Sequence, residues 1–206
     1  MKRSGSILSS LARLLAPLLL VGPAFAQQSV PSWDLPSAEL LAAMSGGGRI
    51  LYWRHPATDF SENDSRMRSY EDCAGQRNLI DKGRDDARKT GIAIRALGIP
   101  IGRVIASPFC RTVESAQLAF GRAEKWDEAR YGSAADQYAE LRKLLGIRPE
   151  KANTVIVGHG APFYSITGVR IAEGEVAVIR PLNGRFEIEG RIKPEDWTAL
   201  RTAAGR

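Results

Sequence analysis

The sequence predicts an α/β domain, a three-layer sandwich with a mostly parallel central sheet. Two observations carry that expectation. Short apolar, strand-like runs alternate with helical patterns along most of the chain. The balance of 44% hydrophobic and 25% charged residues over 206 positions is that of a globular chain long enough to bury one core.

The elements follow in order. Ser37 is placed to cap a short helix through Met44, with Leu40, Leu41 and Met44 on one face and Gly46-Gly47-Gly48 ending it. Residues 49–53 ("RILYW") read as a strand. The polar stretch 56–77 that follows has no periodicity, and so long a connection in a compact domain is expected to be functional or lid-like. Asp81 is the expected cap of a helix with Asp85 and Asp86 in its first turn and an apolar stripe of Ala87, Gly91, Ile94 and Leu97, stopped by Gly98 and Pro100. Residues 103–106 form a second strand. Ser107-Pro108 then reads as an N-cap and first-turn proline opening a helix over 109–120. A helix over 134–145, a strand over 154–157, and two late strands over 175–180 and 186–192 joined at Asn183-Gly184 come next. A short helix over 194–203 closes the chain.

Residues 1–26 differ from the rest. Lys2 and Arg3 precede a mostly apolar run over 7–21, interrupted by Arg13, and Ala24-Phe25-Ala26 supplies a small-x-small cleavage site. This is the form of a secretory signal peptide cleaved before Gln27, leaving 27–206 as one domain. The run falls short of the ~20 apolar residues that a membrane span needs, so no stable membrane insertion is expected after cleavage. The expected location is outside the cytoplasm, in a bacterial periplasm. Removing Lys2, Arg3 and Arg13 lowers the formal charge from +6 to +3. So mild a surplus, with no clustered basic stretch, speaks against nucleic acid and suits an anionic small molecule.

Cys73 and Cys110 are the two cysteines of the chain. In an oxidising compartment such a pair is expected to be bridged, the alternative being two buried thiols. No CxxC, HExxH or Cys/His cluster accompanies them, so neither a metal site nor another cofactor is expected. A thiolate phosphatase would need Cys-x5-Arg, and that spacing from Cys73 lands on Leu79.

The informative pattern lies at three strand ends. Arg54-His55 follows the first strand, "SPFCRT" (107–112) the second, and Gly158-His159-Gly160 the third. Ligands in open α/β sheets bind beyond the carboxyl ends of parallel strands. If these strands are neighbours, two arginines and both histidines of the chain meet in one crevice. Arginine offers planar, permanently charged, bidentate donors to phosphate oxygens, and Arg111 in a helix's first turn adds the pull of the helix N-terminus. A neutral imidazole beside those charges can attack phosphorus, and the second histidine, if protonated, would stabilise the charge that develops. A single histidine at a strand end is ordinarily a turn or core residue, but here both placements would have to be coincidence. Trp53, Trp126 and Trp197 are expected in the core or at its rim.

At these residues the chain resembles the histidine phosphatase superfamily, with its phosphoglycerate-mutase-like fold. "RHPATD", "SPFCRT" and "VGHG" match that family's three ordered motifs, and "QRNLIDKGRDDA" (76–87) looks like the segment before its second helix. The resemblance spans residues 48–181 and is nearest to small, exported members, which share the two cysteines. It implies that His55 is the nucleophile, with Arg54, Arg111 and His159 completing the phosphate pocket. Pro56 departs from the family's usual glycine. For the general acid, "DEARYG" sets Glu128 four residues before Gly132 as the family does, the alternative being a solvated Asp127-Glu128 pair. Thr58, Asn78 and Gly160 are candidate substrate contacts, with turn capping the competing role for Thr58 and Asn78. The expected activity is hydrolysis of a small phosphomonoester through a phosphohistidine intermediate. Dephosphorylation of phosphohistidine in a protein, and anion binding without catalysis, are the alternatives. Oligomeric state and substrate identity leave no mark in the sequence.

Overall fold

Residues of the first strand alternate between two buried faces, the mark of a strand at the centre of a covered sheet. In the computed structural model, which describes residues 37–130 and 138–205, β1 (Ile50–Arg54) sends Ile50 and Tyr52 into one apolar cluster and Leu51 and Trp53 into another. The other strands are β2 (Ile101–Ala106), β3 (Glu124–Lys125), β4 (Asn153–Gly158), β5 (Val176–Leu182) and β6 (Arg185–Ile192). Their spatial order is β3-β2-β4-β1-β5-β6. The pairs β2/β3, β2/β4 and β1/β4 are parallel, and β5 runs antiparallel to both β1 and β6. Asn183 and Gly184 join β5 to β6 with φ of 48° and 90°, the left-handed pair that a tight hairpin turn requires.

Helices cover both faces. Four of them, α1 (Ser37–Ser45), α2 (Asp81–Ala96), α3 (Cys110–Phe120) and α6 (Asp196–Ala203), share the cluster of Leu51, Trp53, Val104, Val155 and Val178. On the opposite face α4 (Ala139–Leu145) and α5 (Gly160–Thr167) bury Leu141, Leu145, Phe163 and Ile166 against Ile50, Tyr52, Ile105 and Ile156. The fold is therefore the expected three-layer α/β sandwich. No helix among the described residues is long and apolar enough to cross a membrane.

β4, buried along its whole length, lies between β1 and β2. Arg54 stands in register with Gly158, and Ala106 with Val157. All three marked strand ends thus open on the same edge of the sheet.

Several local expectations need correction. The first three expected strands each run one or two residues beyond their expected bounds. Asp81 is not a cap: Ile80 holds that position, and the Asp81 carboxylate accepts a hydrogen bond from Arg84 Nη1 at 3.2 Å. Asp85 pairs with Arg88 and Asp86 with Lys82, outside the first turn. Ser107 does not cap α3, which starts after Phe109, because its hydroxyl is committed elsewhere. α5 and the two-residue β3 were not foreseen. The proposed signal peptide, and residues 134–137 of the expected fourth helix, lie outside the described residues.

Candidate active site

The strand ends bring His55 and His159 to a ring-centroid separation of 5.4 Å with their planes 66° apart. Both are buried. The His55 Nδ1 lies 2.9 Å from the Pro56 carbonyl oxygen. A carbonyl only accepts, so Nδ1 carries the proton and Nε2 is left with its lone pair. Burial pushes the His55 pKa down to about 3, against the raising effect of the Pro56 bond, and Arg111, Arg54 and Arg77 lower it further. The imidazole is therefore neutral at any physiological pH. His159 is also held well below the ordinary histidine value, by burial first and then by His55 and the three arginines. Protonation, the condition set for His159 to stabilise charge, is therefore disfavoured in this structure.

His159 is fixed from three sides. The Ser107 hydroxyl meets its Nε2 at 2.8 Å, the Phe109 ring stands edge-on at 5.1 Å, and the Tyr52 hydroxyl donates to its carbonyl at 2.9 Å. The last contact explains the glycine before it. A Cβ at Gly158 would come within 2.4 Å of the Tyr52 hydroxyl, so the motif can carry no side chain there.

A cavity of ≈ 600 Å³ opens onto this pair, within the range of small-molecule sites. Arg54, His55, Arg77, Arg111, His159 and Gly160 are among the residues that line it. Arg111 is almost wholly buried and grips Asp64 with both terminal nitrogens, at 2.9 and 3.1 Å. Its Nη1 also donates to the Arg77 carbonyl. The Nε–H groups of Arg54 and Arg77 are buried without a hydrogen-bond partner, donor capacity that an anion can satisfy. Tyr164, Ser165, Arg170 and Ile171 line another part of the wall, with the Arg170 guanidinium 4.5 Å over the Tyr164 ring. Among the described residues no group of three or more His, Cys, Asp or Glu side chains is placed to hold a metal ion.

Arg54, His55, Arg111, His159 and Gly160 thus come together, and other expected residues do not. Glu128 lies half-buried on a 3-10 turn, Asp127–Ala129, just after β3, and does not line the cavity. The reason is topological: β3 is the edge strand, two places removed from β4. Thr58 donates its hydroxyl to Glu173 Oε1 at 2.7 Å and its backbone N–H to Oε2 at 3.2 Å, so it supports a carboxylate instead of facing substrate. Asn78 donates to the Cys73 and Gln76 carbonyls, a turn contact. Cys73 and Cys110 form a disulfide, tying the 56–77 loop to the first residue of α3.

Sequence reasoning missed three participants. Arg77 sits in the quoted "QRNL" stretch, where a signal existed. Asp64 and Glu173 carried none. Glu173 lies 3.5 Å from Arg54 Nη2 and 3.9 Å from His55 Nδ1, on the side of the imidazole away from its lone pair.

No protein-family model matches the chain, and no curated protein matches it. Solved structures do. The protein histidine phosphatase SixA complexed with tungstate is 18% identical, with 72% of this chain and 98% of that chain covered at a TM-score of 0.53. Phosphoglycerate mutase from Bacillus anthracis str. Sterne is 12% identical, covering 77% and 99% at 0.53. A mutant phosphoserine phosphatase from Entamoeba histolytica in complex with phosphoserine is 11% identical, covering 71% and 98% at 0.51. The chain therefore has the phosphoglycerate-mutase-like fold.

Proposed function

We propose that the chain is an exported phosphatase of the histidine phosphatase superfamily, hydrolysing a small phosphomonoester through a phosphohistidine on His55. One observation carries the reading. A neutral imidazole with its Nε2 lone pair free lies beside three cavity-lining arginines and a second histidine. That is a nucleophile set in a pocket built for a dianion. The ligands of two similar structures, tungstate and phosphoserine, are a tetrahedral oxyanion and a phosphomonoester.

The chemistry follows from the groups present. Arg54, Arg77 and Arg111 orient the phosphoryl oxygens and offset their charge. His55 Nε2 attacks phosphorus as the ester P–O bond breaks, and the proton stays on Nδ1, donated to the Pro56 carbonyl. The positive charge that develops on the imidazole is offset by Glu173 on its Nδ1 side. A dianion beside His159 favours its protonated form, which then donates to a phosphoryl oxygen. Water next attacks the phosphohistidine and regenerates neutral His55.

Export rests on the form of residues 1–26, and the Cys73–Cys110 bridge agrees with an oxidising compartment. Dephosphorylation of a protein phosphohistidine draws on the likeness to SixA. The cavity volume of ≈ 600 Å³, with Tyr164, Ser165 and Arg170 in its lining, favours a small ester.

The test compares the mature protein with His55→Ala on a chromogenic aryl phosphate. Losing the nucleophile should cost on the order of 10³-fold or more, and an acid-labile, base-stable phosphoenzyme should form only with the unaltered protein. Equal rates in the two proteins reject the assignment.

A further inference from the structure

With Glu128 away from the cavity, the proton for the leaving group needs another source. Among the described residues the carboxylates lining the cavity are Glu62 and Asp64. Glu173 lies on the Nδ1 side of His55, away from the attacking lone pair. Asp64 is placed quite differently. Its two oxygens accept from Arg111 Nη1 and Nη2 at 2.9 and 3.1 Å, the same two-point fork that binds a phosphoryl group. Its Oδ1 also accepts the Arg77 backbone N–H at 2.9 Å. A phosphoryl group that engages both terminal nitrogens of Arg111 takes the position Asp64 holds.

The loop allows that exchange. It is anchored near one end by the Thr58–Leu79 bridge and the Asp59 N–H to Asn78 carbonyl bond, and near the other by the Cys73–Cys110 disulfide. Asp64 lies between those anchors, its carboxylate held by Arg111 and the Arg77 N–H, so its displacement exchanges those bonds and leaves both ends of the loop tied.

We infer that Asp64 guards Arg111 and, once displaced by the phosphoryl group, protonates the leaving oxygen. The inference rests on the phosphatase reading above. Losing a cationic partner and gaining a dianionic neighbour both favour the protonated carboxyl, which takes its proton from solvent. The steps balance. His55 Nε2 forms the N–P bond, the P–O bond breaks, and its electron pair leaves on the ester oxygen, which receives the Asp64 proton. Water then forms a new P–O bond, returns one proton to the Asp64 carboxylate, and the N–P pair goes back to His55. The products are the alcohol and hydrogen phosphate.

Asp64→Asn separates the roles when assayed on two esters. An alkyl phosphate needs its alkoxide protonated, and an aryl phosphate with an acidic phenol does not. The variant should lose roughly 10²- to 10⁴-fold in kcat on the alkyl ester and less than about tenfold on the aryl ester. Inorganic phosphate should inhibit it more strongly than the unaltered protein, because a neutral amide competes poorly for Arg111. Retained aryl turnover also certifies folding. Equal losses on both esters, or none on either, overturn the assignment. Should the variant not fold, the unaltered protein decides by itself: with an internal acid its rates vary little across leaving groups, and a steep dependence overturns the proposal. Failure of the parent reading looks different, since the unaltered protein would then form no phosphoenzyme and hydrolyse neither ester.

Discussion

Replacing both cysteines by serine (Cys73→Ser with Cys110→Ser) isolates what the bridge between the loop and α3 contributes. The cross-link spans a sequence separation of 37. Chain entropy for a closed loop of that size gives about 4 kcal/mol of stabilisation, acting on the unfolded state. For a protein of this length each kcal/mol moves the melting midpoint by about 2–4 °C, so the double variant should melt roughly 8–16 °C lower. The assay is thermal unfolding followed by circular dichroism, with the unaltered protein in reductant as a second arm that should reproduce the shift. Native contacts beside the bridge persist in the variant: Gln76 accepts the Cys110 N–H at 2.9 Å and donates to the Tyr70 carbonyl at 3.0 Å. The pocket should therefore keep its shape, and turnover at 25 °C should fall only modestly. A shift under about 3 °C, far below the chain-entropy value, would refute the reasoning.

Three other outcomes are expected. Because His55 is neutral down to about pH 3 when folded and titrates near 6.5 when unfolded, its contribution is intact above pH 6.5. It then falls by roughly 1.4 kcal/mol for each pH unit below that. His159 acts in the same direction, and denaturant unfolding at pH 6 and 5 should show a shallower acid dependence in His55→Ala; an identical slope would contradict the buried neutral assignment. Gly158→Ala should destabilise by about 1–3 kcal/mol through overpacking against the Tyr52 hydroxyl. Adding Tyr52→Phe should recover part of that loss, a coupling that a double-mutant cycle measures, and strict additivity would count against the contact. Ser107→Ala should cost about 1–3 kcal/mol by removing a partner from a buried nitrogen on His159, read from the denaturant midpoint.

The central strands were legible because both faces of β1 and β4 are buried, which leaves dense runs such as "ILYW" and "TVIV". Helix α2 was equally plain from Ala87, Ile94 and Leu97 at helical spacing. α5 escaped because eight residues holding a proline and mixed polar positions make no stripe, and only packing of Phe163 and Ile166 on the sheet reveals it. β3 has two exposed residues and exists through pairing alone. At the site, Arg54, His55 and His159 could be found because they sit at or just past a strand end, and Arg111 because it opens the helix after one. Asp64 reaches Arg111 across 47 positions, and Glu173 reaches Thr58 across 115. Contacts that a loop makes at such distances leave no local period to read. Ser107 shows the reverse error, since a residue with good capping chemistry was claimed by a stronger buried partner.

The division between sheet and loop also bears on how such a chain can change over generations. His55 and His159 extend directly from β1 and β4, and Arg111 lies in the first turn of the helix that follows β2. Glu62, Asn63 and Asp64 stand instead on one excursion fastened at both ends, with Asp64 also bonded to Arg77 and Arg111. Substitutions and short insertions between those fastenings can re-cut the mouth of the cavity while the machinery that grips phosphorus keeps its alignment. What surrounds the ester and what grips its phosphorus thus lie largely on separate stretches of sequence, with Asp64 and Arg77 the loop residues that any such exchange must keep.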